Sequence, residues 1–154
     1  MGFKLPKEAR SYFKLIDDRS NNKFKILFDR YYLCLMAGFS CKTLGKQEEI
    51  ENADFLDSYP ELYVDKAELI AGLLINSEME RQGIDSTEQK SVENLILQVI
   101  DNNSSTKLSN KGLDLLNCYA ASGMNFIRDN IPKTSELETF LVYYQQLLNP
   151  KITK

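Results

Sequence analysis

From Lys23 to about Phe39 the chain is apolar on almost every side of a helix, and this segment constrains what the rest can form. Phe24, Leu27, Phe28, Tyr31, Leu35 and Gly38 recur at spacings of three and four and make one stripe. Leu33 and Met36 widen the stripe until little polar surface remains beyond the first turns. Such a helix needs other helices on most sides, so it is expected at the centre of a bundle. Gly38 is either its C-terminal stop or a close-packing point.

The rest of the chain has the same periodicity. Pro6 suits a first helical turn, and Ala9, Tyr12, Phe13 and Ile16 follow on one face. Ser20-Asn-Asn22 breaks that pattern and can cap the next segment. Between Ser40 and Asp65 the order is weaker, with a short helix and a turn expected around Glu48–Glu51 and Phe55–Pro60. Asp65 with Glu68, Ser86 with Gln89 and Ser135 with Glu138 have capping-box spacing before apolar runs, and Ser109 can cap a further helix. Gly83 and Gly123 stand where left-handed C-caps are expected, Asn102–Ser105 reads as a polar linker, and Pro150 is expected to end the last helix. No run alternates apolar and polar residues around a hairpin turn. The expectation is an all-α, compact bundle of about six to seven helices. It is a single domain over 1–154, with a basic N-terminal helical pair (1–46) and an acidic remainder (47–150).

A chain of 154 residues with 43% hydrophobic and 27% charged residues can bury a core without disulfide or metal staples. No window is apolar for long enough to cross a bilayer, and the opening residues lack the apolar region of a signal peptide, so the expected address is the cytoplasm. Cys34, Cys41 and Cys118 are odd in number and widely spaced, which fits free thiols.

The chain contains no histidine. That removes Ser-His-Asp and Cys-His catalysis and the common zinc sites. Ser11-x-x-Lys14 lacks the companion elements of the catalytic motif it matches. Glu48, Glu49, Glu51, Asp54 and Asp57 could gather a divalent cation, but without the glycine and oxygen spacing of a calcium loop. A solvated acidic helix explains them. The chain is read as non-catalytic and without a cofactor or metal; a metal-carboxylate enzyme is the alternative.

Charge is the informative surface feature. Residues 1–46 hold ten Lys or Arg against four Asp or Glu, and the other 108 hold nine against eighteen. Lys4, Lys7, Arg10, Lys14, Arg19, Lys23 and Lys25 fall on the first helix, its approach and the following turn. On a continuous helix Lys7, Arg10 and Lys14 would share one solvent face. These seven are the candidate DNA- or partner-binding residues, because cations on one face displace counterions from phosphates or dock on an acidic protein surface.

Phe3-Lys-Leu-Pro-Lys-Glu-Ala9, then Tyr12, Leu15 and Lys25-Ile-Leu-Phe-Asp-Arg30-Tyr-Tyr-Leu-Cys-Leu-Met36, resembles the start of a small helical bacterial family. That family is the small DNA-binding subunit of bacterial DNA sulfur-modification (phosphorothioation, Dnd) systems. The resemblance spans about the first 36 residues. It implies an all-α accessory protein, open to oligomerisation, that works on DNA beside larger enzymes, with Lys4, Lys7, Arg10 and Lys14 at the matching basic positions. The long acidic C-terminal part departs from the family pattern and bears on DNA binding more than on fold.

The expected function is therefore that of an accessory subunit of a multi-protein complex, in bacterial DNA modification or phage defence, meeting DNA or a protein partner through the basic N-terminal helix. The alternative is a stand-alone helical interaction or regulatory module, as a homo-oligomer such as a dimer, working through its acidic face. No membrane partner is expected.

Overall fold

The computed structural model describes residues 1–149. Its helices are α1 (Ala9–Tyr12), α2 (Lys14–Arg19), α3 (Leu27–Cys41), α4 (Ala67–Gln82), α5 (Gln89–Val99), α6 (Asn110–Asn130) and α7 (Leu137–Leu148). Single 3-10 segments, Gln47–Glu49 and Glu61–Lys66, punctuate the connection from α3 to α4. The all-α compact bundle is what forms; among the described residues there are no strands, only three isolated bridges. Among those residues, too, no helix is long and apolar enough to cross a membrane. Pro150, expected to end the last helix, lies outside the described residues.

The axis of the bundle is the pair α3 and α6, packed along their length. Glycine sets how closely they approach. A Cβ on Gly38 would lie 1.9 Å from the Tyr119 carbonyl oxygen, and one on Gly123 would lie 1.6 Å from that of Cys34. The two backbones are nearly in contact, closer than helices that keep side chains between them. Gly38 is thus a packing point, and α3 runs on to a left-handed cap at Lys42 (φ 58°). Gly123 does not close its helix, contrary to expectation, because α6 continues seven residues further, to Asn130. Phe28, Tyr31, Cys34 and Leu35 from α3 meet Leu116, Tyr119, Ala120 and Met124 from α6 in one core.

An extended N-terminal strap lies across this core. Phe3 and Leu5 are wholly buried, and bridges from Phe3 to Leu56 and from Pro6 to Ile50 lace the strap to the 50–56 segment. Phe3 packs edge-on against Phe28 and Tyr31. Asn117 of α6 pins the strap: its Oδ1 accepts from the Tyr31 hydroxyl (2.7 Å) and the Lys4 amide (3.0 Å), and its Nδ2 donates to the Gly2 carbonyl (3.2 Å).

Helix starts follow the expected signals at some places only. Ser109 caps α6 by accepting from the Gly112 amide (3.0 Å), and Gly83 closes α4 at φ 72°. Asp65 does not cap; it lies in the 3-10 segment that runs directly into α4, whose N-cap position is Lys66. Ser86 and Ser135 do not cap either, since α5 starts at Gln89 and α7 at Leu137. The polar run after α2 does not cap α3. Asp29 does that work, accepting from the Lys25 and Ile26 amides (3.0 and 3.1 Å). Buried Ser20 instead reaches across the chain and accepts from the Leu137 amide (3.0 Å), serving α7.

One carboxylate is fully enclosed. Glu78 of α4, 1% exposed, accepts two hydrogen bonds from Arg81 (2.6 and 2.9 Å) and one from the Tyr119 hydroxyl (2.7 Å). Burial alone would raise its pKa, but Arg81, Tyr119 and Gln82 outweigh that and hold it below the usual carboxylate value. A pKa lower in the folded than in the unfolded state gives stability that is full above the unfolded value and is lost as pH falls through the folded one. Glu78→Gln is therefore expected to lower the urea midpoint at neutral pH. It should also flatten the loss of stability between about pH 5 and pH 3. Denaturation curves across that range check both effects.

Candidate functional site

The chain breaks at Phe13, so the expected continuous helix is two short ones, α1 and α2. This separates the basic residues that helical spacing placed together. Lys7 precedes α1 and lines a small recess with Glu8, Glu48 and Glu49. Arg10 and Lys14 line a different, open cleft of about 570 Å³, together with Asp17, Asp18, Phe24, Lys25 and Arg30. Lys4 is half-buried, with its amide bound to Asn117.

Ion pairs then sort the cations. Arg10 donates to Glu51 (3.0 Å), and Lys14 pairs with Asp18 (3.0 Å). Arg30 is held by Asp17 and by the Ile26 carbonyl (3.0 Å), with its guanidinium 5.1 Å from the centre of the Phe24 ring. Arg128 reaches back from α6 to Glu8 (2.5 Å), and Lys42 pairs with Glu80. Several of these pairs join the basic first part of the chain to the acidic remainder, so the two are interleaved on the surface. Exposed pairs of this kind add little stability, but they partly cancel the field each cation projects.

Among the described residues, the candidate cations without an ion-pair partner are Lys4, Lys7, Arg19, Lys23 and Lys25. Three of them are exposed where α2 gives way to α3, Arg19 as the last residue of α2 and Lys23 and Lys25 in the turn that follows, with exposed Asn21 and Asn22 between Arg19 and Lys23. Lys25 also lines the cleft of Arg10 and Lys14, whose walls carry Asp17 and Asp18 among the cations. Asp29 fixes the turn by binding the Lys25 amide, and the Tyr63 hydroxyl donates to Asp29 (2.5 Å). Sequence spacing missed Arg30 and Asp29. Their apolar neighbours Ile26, Leu27 and Phe28 make them read as the polar side of a core helix.

The other candidate chemistry is not assembled. The Ser11 hydroxyl donates to the Glu8 carbonyl (3.1 Å) while Lys14 engages Asp18, so the two do not meet as a nucleophile and base would. Glu49 accepts from the Lys46 amide (2.8 Å) and Asn125 (2.6 Å), and Glu51 is taken by Arg10. Among the described residues, no three carboxylate or thiol side chains converge as a cation site would require. The thiols of Cys34, Cys41 and Cys118 all have raised pKa values through burial, that of Cys118 to about 11, which keeps them protonated at neutral pH.

Fold and surface together define a compact helical domain in which three of the seven candidate cations, Arg19, Lys23 and Lys25, stand exposed and without an ion pair at the α2–α3 junction. No family model, curated protein or solved structure matches the chain.

Proposed function

We propose that this protein is a non-catalytic accessory subunit of a multi-protein complex acting on DNA, in DNA modification or phage defence, and that the α2–α3 turn is the part that meets the DNA backbone. One observation carries the reading: Arg19, Lys23 and Lys25 are exposed, close in the chain and unpaired, whereas Arg10 and Lys14 are bound to carboxylates. Phosphates favour such a cluster because each cation that contacts one releases condensed counterions. The resemblance of the first 36 residues to the small subunit of DNA sulfur-modification systems supports the same reading.

The overall charge of −3 limits the affinity to a local contact that strengthens when larger subunits hold the same DNA. Reversal of Arg19, Lys23 and Lys25 to Glu together is expected to abolish binding to duplex DNA in fluorescence anisotropy and leave the far-ultraviolet circular dichroism spectrum unchanged. Reversal of Arg10 and Lys14 is expected to weaken it less. Unchanged binding in the triple variant, or greater loss in the Arg10/Lys14 variant, contradicts the assignment.

A further inference from the structure

A second depression borders the α2–α3 turn, distinct from the cleft of Arg10 and Lys14. It encloses about 300 Å³ between α3, the Glu61–Lys66 segment and α7, and is lined by the rings of Phe24, Tyr32 and Tyr63 with Leu137 and Leu141. Lys23 and Lys25 border it, both exposed and neither in an ion pair. Leu141 stays 41% exposed there.

The three rings differ in how far the fold already uses them. Phe24 carries the Arg30 guanidinium over its face and the Phe13 ring edge-on at 5.4 Å. Tyr63 is buried against Phe28 (4.7 Å) and donates its hydroxyl to Asp29. Tyr32 is half-buried and, among the described residues, meets one ring, that of Tyr63 at 5.1 Å. It is the ring with surface left for a ligand. The acids nearby are turned to donors of the chain itself: Asp29 accepts from the Lys25 and Ile26 amides as well as from Tyr63, and Glu138 accepts from Asn22 (2.6 Å).

We propose that this groove takes one unpaired base of a DNA strand, stacked on Tyr32, while Lys23 and Lys25 hold the phosphates that flank it. The inference rests on the reading of the α2–α3 turn as a phosphate contact and narrows the substrate to DNA with an unpaired nucleotide. A nucleotide joins a flat ring to an anion a few bonds away, which is the pairing of surfaces that Tyr32 and the two lysines present. An intact duplex offers this site its phosphates only, because its bases are stacked inside, whereas an unpaired base has a free face for an aromatic side chain. A volume of about 300 Å³ is at the low end for ligand pockets, which suits one base and excludes a helix.

Fluorescence anisotropy at one fixed ionic strength tests it, with a blunt duplex and the same duplex carrying one bulged nucleotide. The bulged duplex should bind at least about fivefold more tightly, the lower end of what one stacked base contributes. Tyr32→Leu should bring the ratio of the two affinities to about one, and Tyr32→Phe should keep it, with circular dichroism showing both variants folded. Lys23→Ala should weaken both complexes and leave the ratio in place. A fluorescent purine at the bulge reports stacking without any substitution, and its emission should fall on binding. Equal wild-type affinities, a ratio that survives Tyr32→Leu, or emission that rises or stays constant overturns this inference and leaves the phosphate reading of the turn standing. Absence of binding to either duplex overturns both. Displacement of the bulged duplex by a Glu-Tyr peptide at lower concentration than by unlabelled DNA would assign the groove to an acidic protein segment and overturn the inference as well.

Discussion

Gly123→Ala is expected to be among the most damaging single substitutions in this protein, although it adds one methyl group. That methyl would lie 1.6 Å from the Cys34 carbonyl oxygen and 2.6 Å from the Gly38 amide nitrogen, both backbone atoms that no rotamer change can move aside. Relief requires α3 and α6 to separate along their common axis, which loosens the core from Phe28 to Met124. Overpacking of well-packed cores costs about 1–3 kcal/mol where side chains can adjust, and a rigid backbone contact should cost about 3 kcal/mol or more. Gly72→Ala provides the control, because the same change in open space should stabilise the monomer by about 0.5–1 kcal/mol through helix propensity. Urea midpoints for the two variants should shift in opposite directions. Equal shifts would mean that the glycine contact does not set the α3–α6 distance.

Asn117→Leu is expected to rank beside it for a different reason. The side chains are close in size, but the substitution strands the Tyr31 hydroxyl, the Lys4 amide and the Gly2 carbonyl, all bound by Asn117 in the core. Each buried polar group left without a partner costs about 1–3 kcal/mol, so the three together should cost at least about 3 kcal/mol unless the strap moves out to meet water. The second outcome has its own signature: the strap carries fully buried Phe3 and Leu5, and its release would expose them to protease. Urea denaturation measures the first effect, and limited proteolysis of the first ten residues reports the second. Wild-type stability together with wild-type protease resistance would show that Asn117 does not pin the strap.

How much of this was legible in the sequence depends on whether the signal was local. The apolar span from Lys23 to Phe39 predicts a surrounded helix because its pattern needs no knowledge of its neighbours, and α3 is one of the two axial helices. Ser109 and Gly83 act within four residues of themselves, and both cap as expected. Gly123 was misread because glycine suits both a left-handed cap and a close helix crossing. Only the position of α3 decides between them. Ser20 caps a helix 117 residues away, and Arg10 finds Glu51 across a gap of 41. No spacing rule reaches such partners.

For the candidate site the same limit had a larger effect. The seven basic residues were visible as a cluster, and the Lys14–Asp18 pair is a local i,i+4 contact within α2, but the pair that binds Arg10 to Glu51 depends on the tertiary fold. The fold therefore leaves Arg10 and Lys14 bound to carboxylates and Arg19, Lys23 and Lys25 without ion pairs at the α2–α3 junction. Asp29 and Arg30 adjoin that junction in the chain itself, in the first turn of α3; what the fold adds is their partners Tyr63 and Asp17.

The central claim is that Arg19, Lys23 and Lys25 engage phosphates, and the salt dependence of DNA binding tests it most directly. Anisotropy titrations with a short labelled duplex at ionic strengths between about 50 and 200 mM give the slope of log K against log salt, to which each phosphate contact contributes about −0.9. Three phosphate contacts give an expected wild-type slope of about −3, reduced in magnitude by about one in Lys23→Ala. A flat slope, or a Lys23→Ala slope equal to that of the wild type, would contradict it.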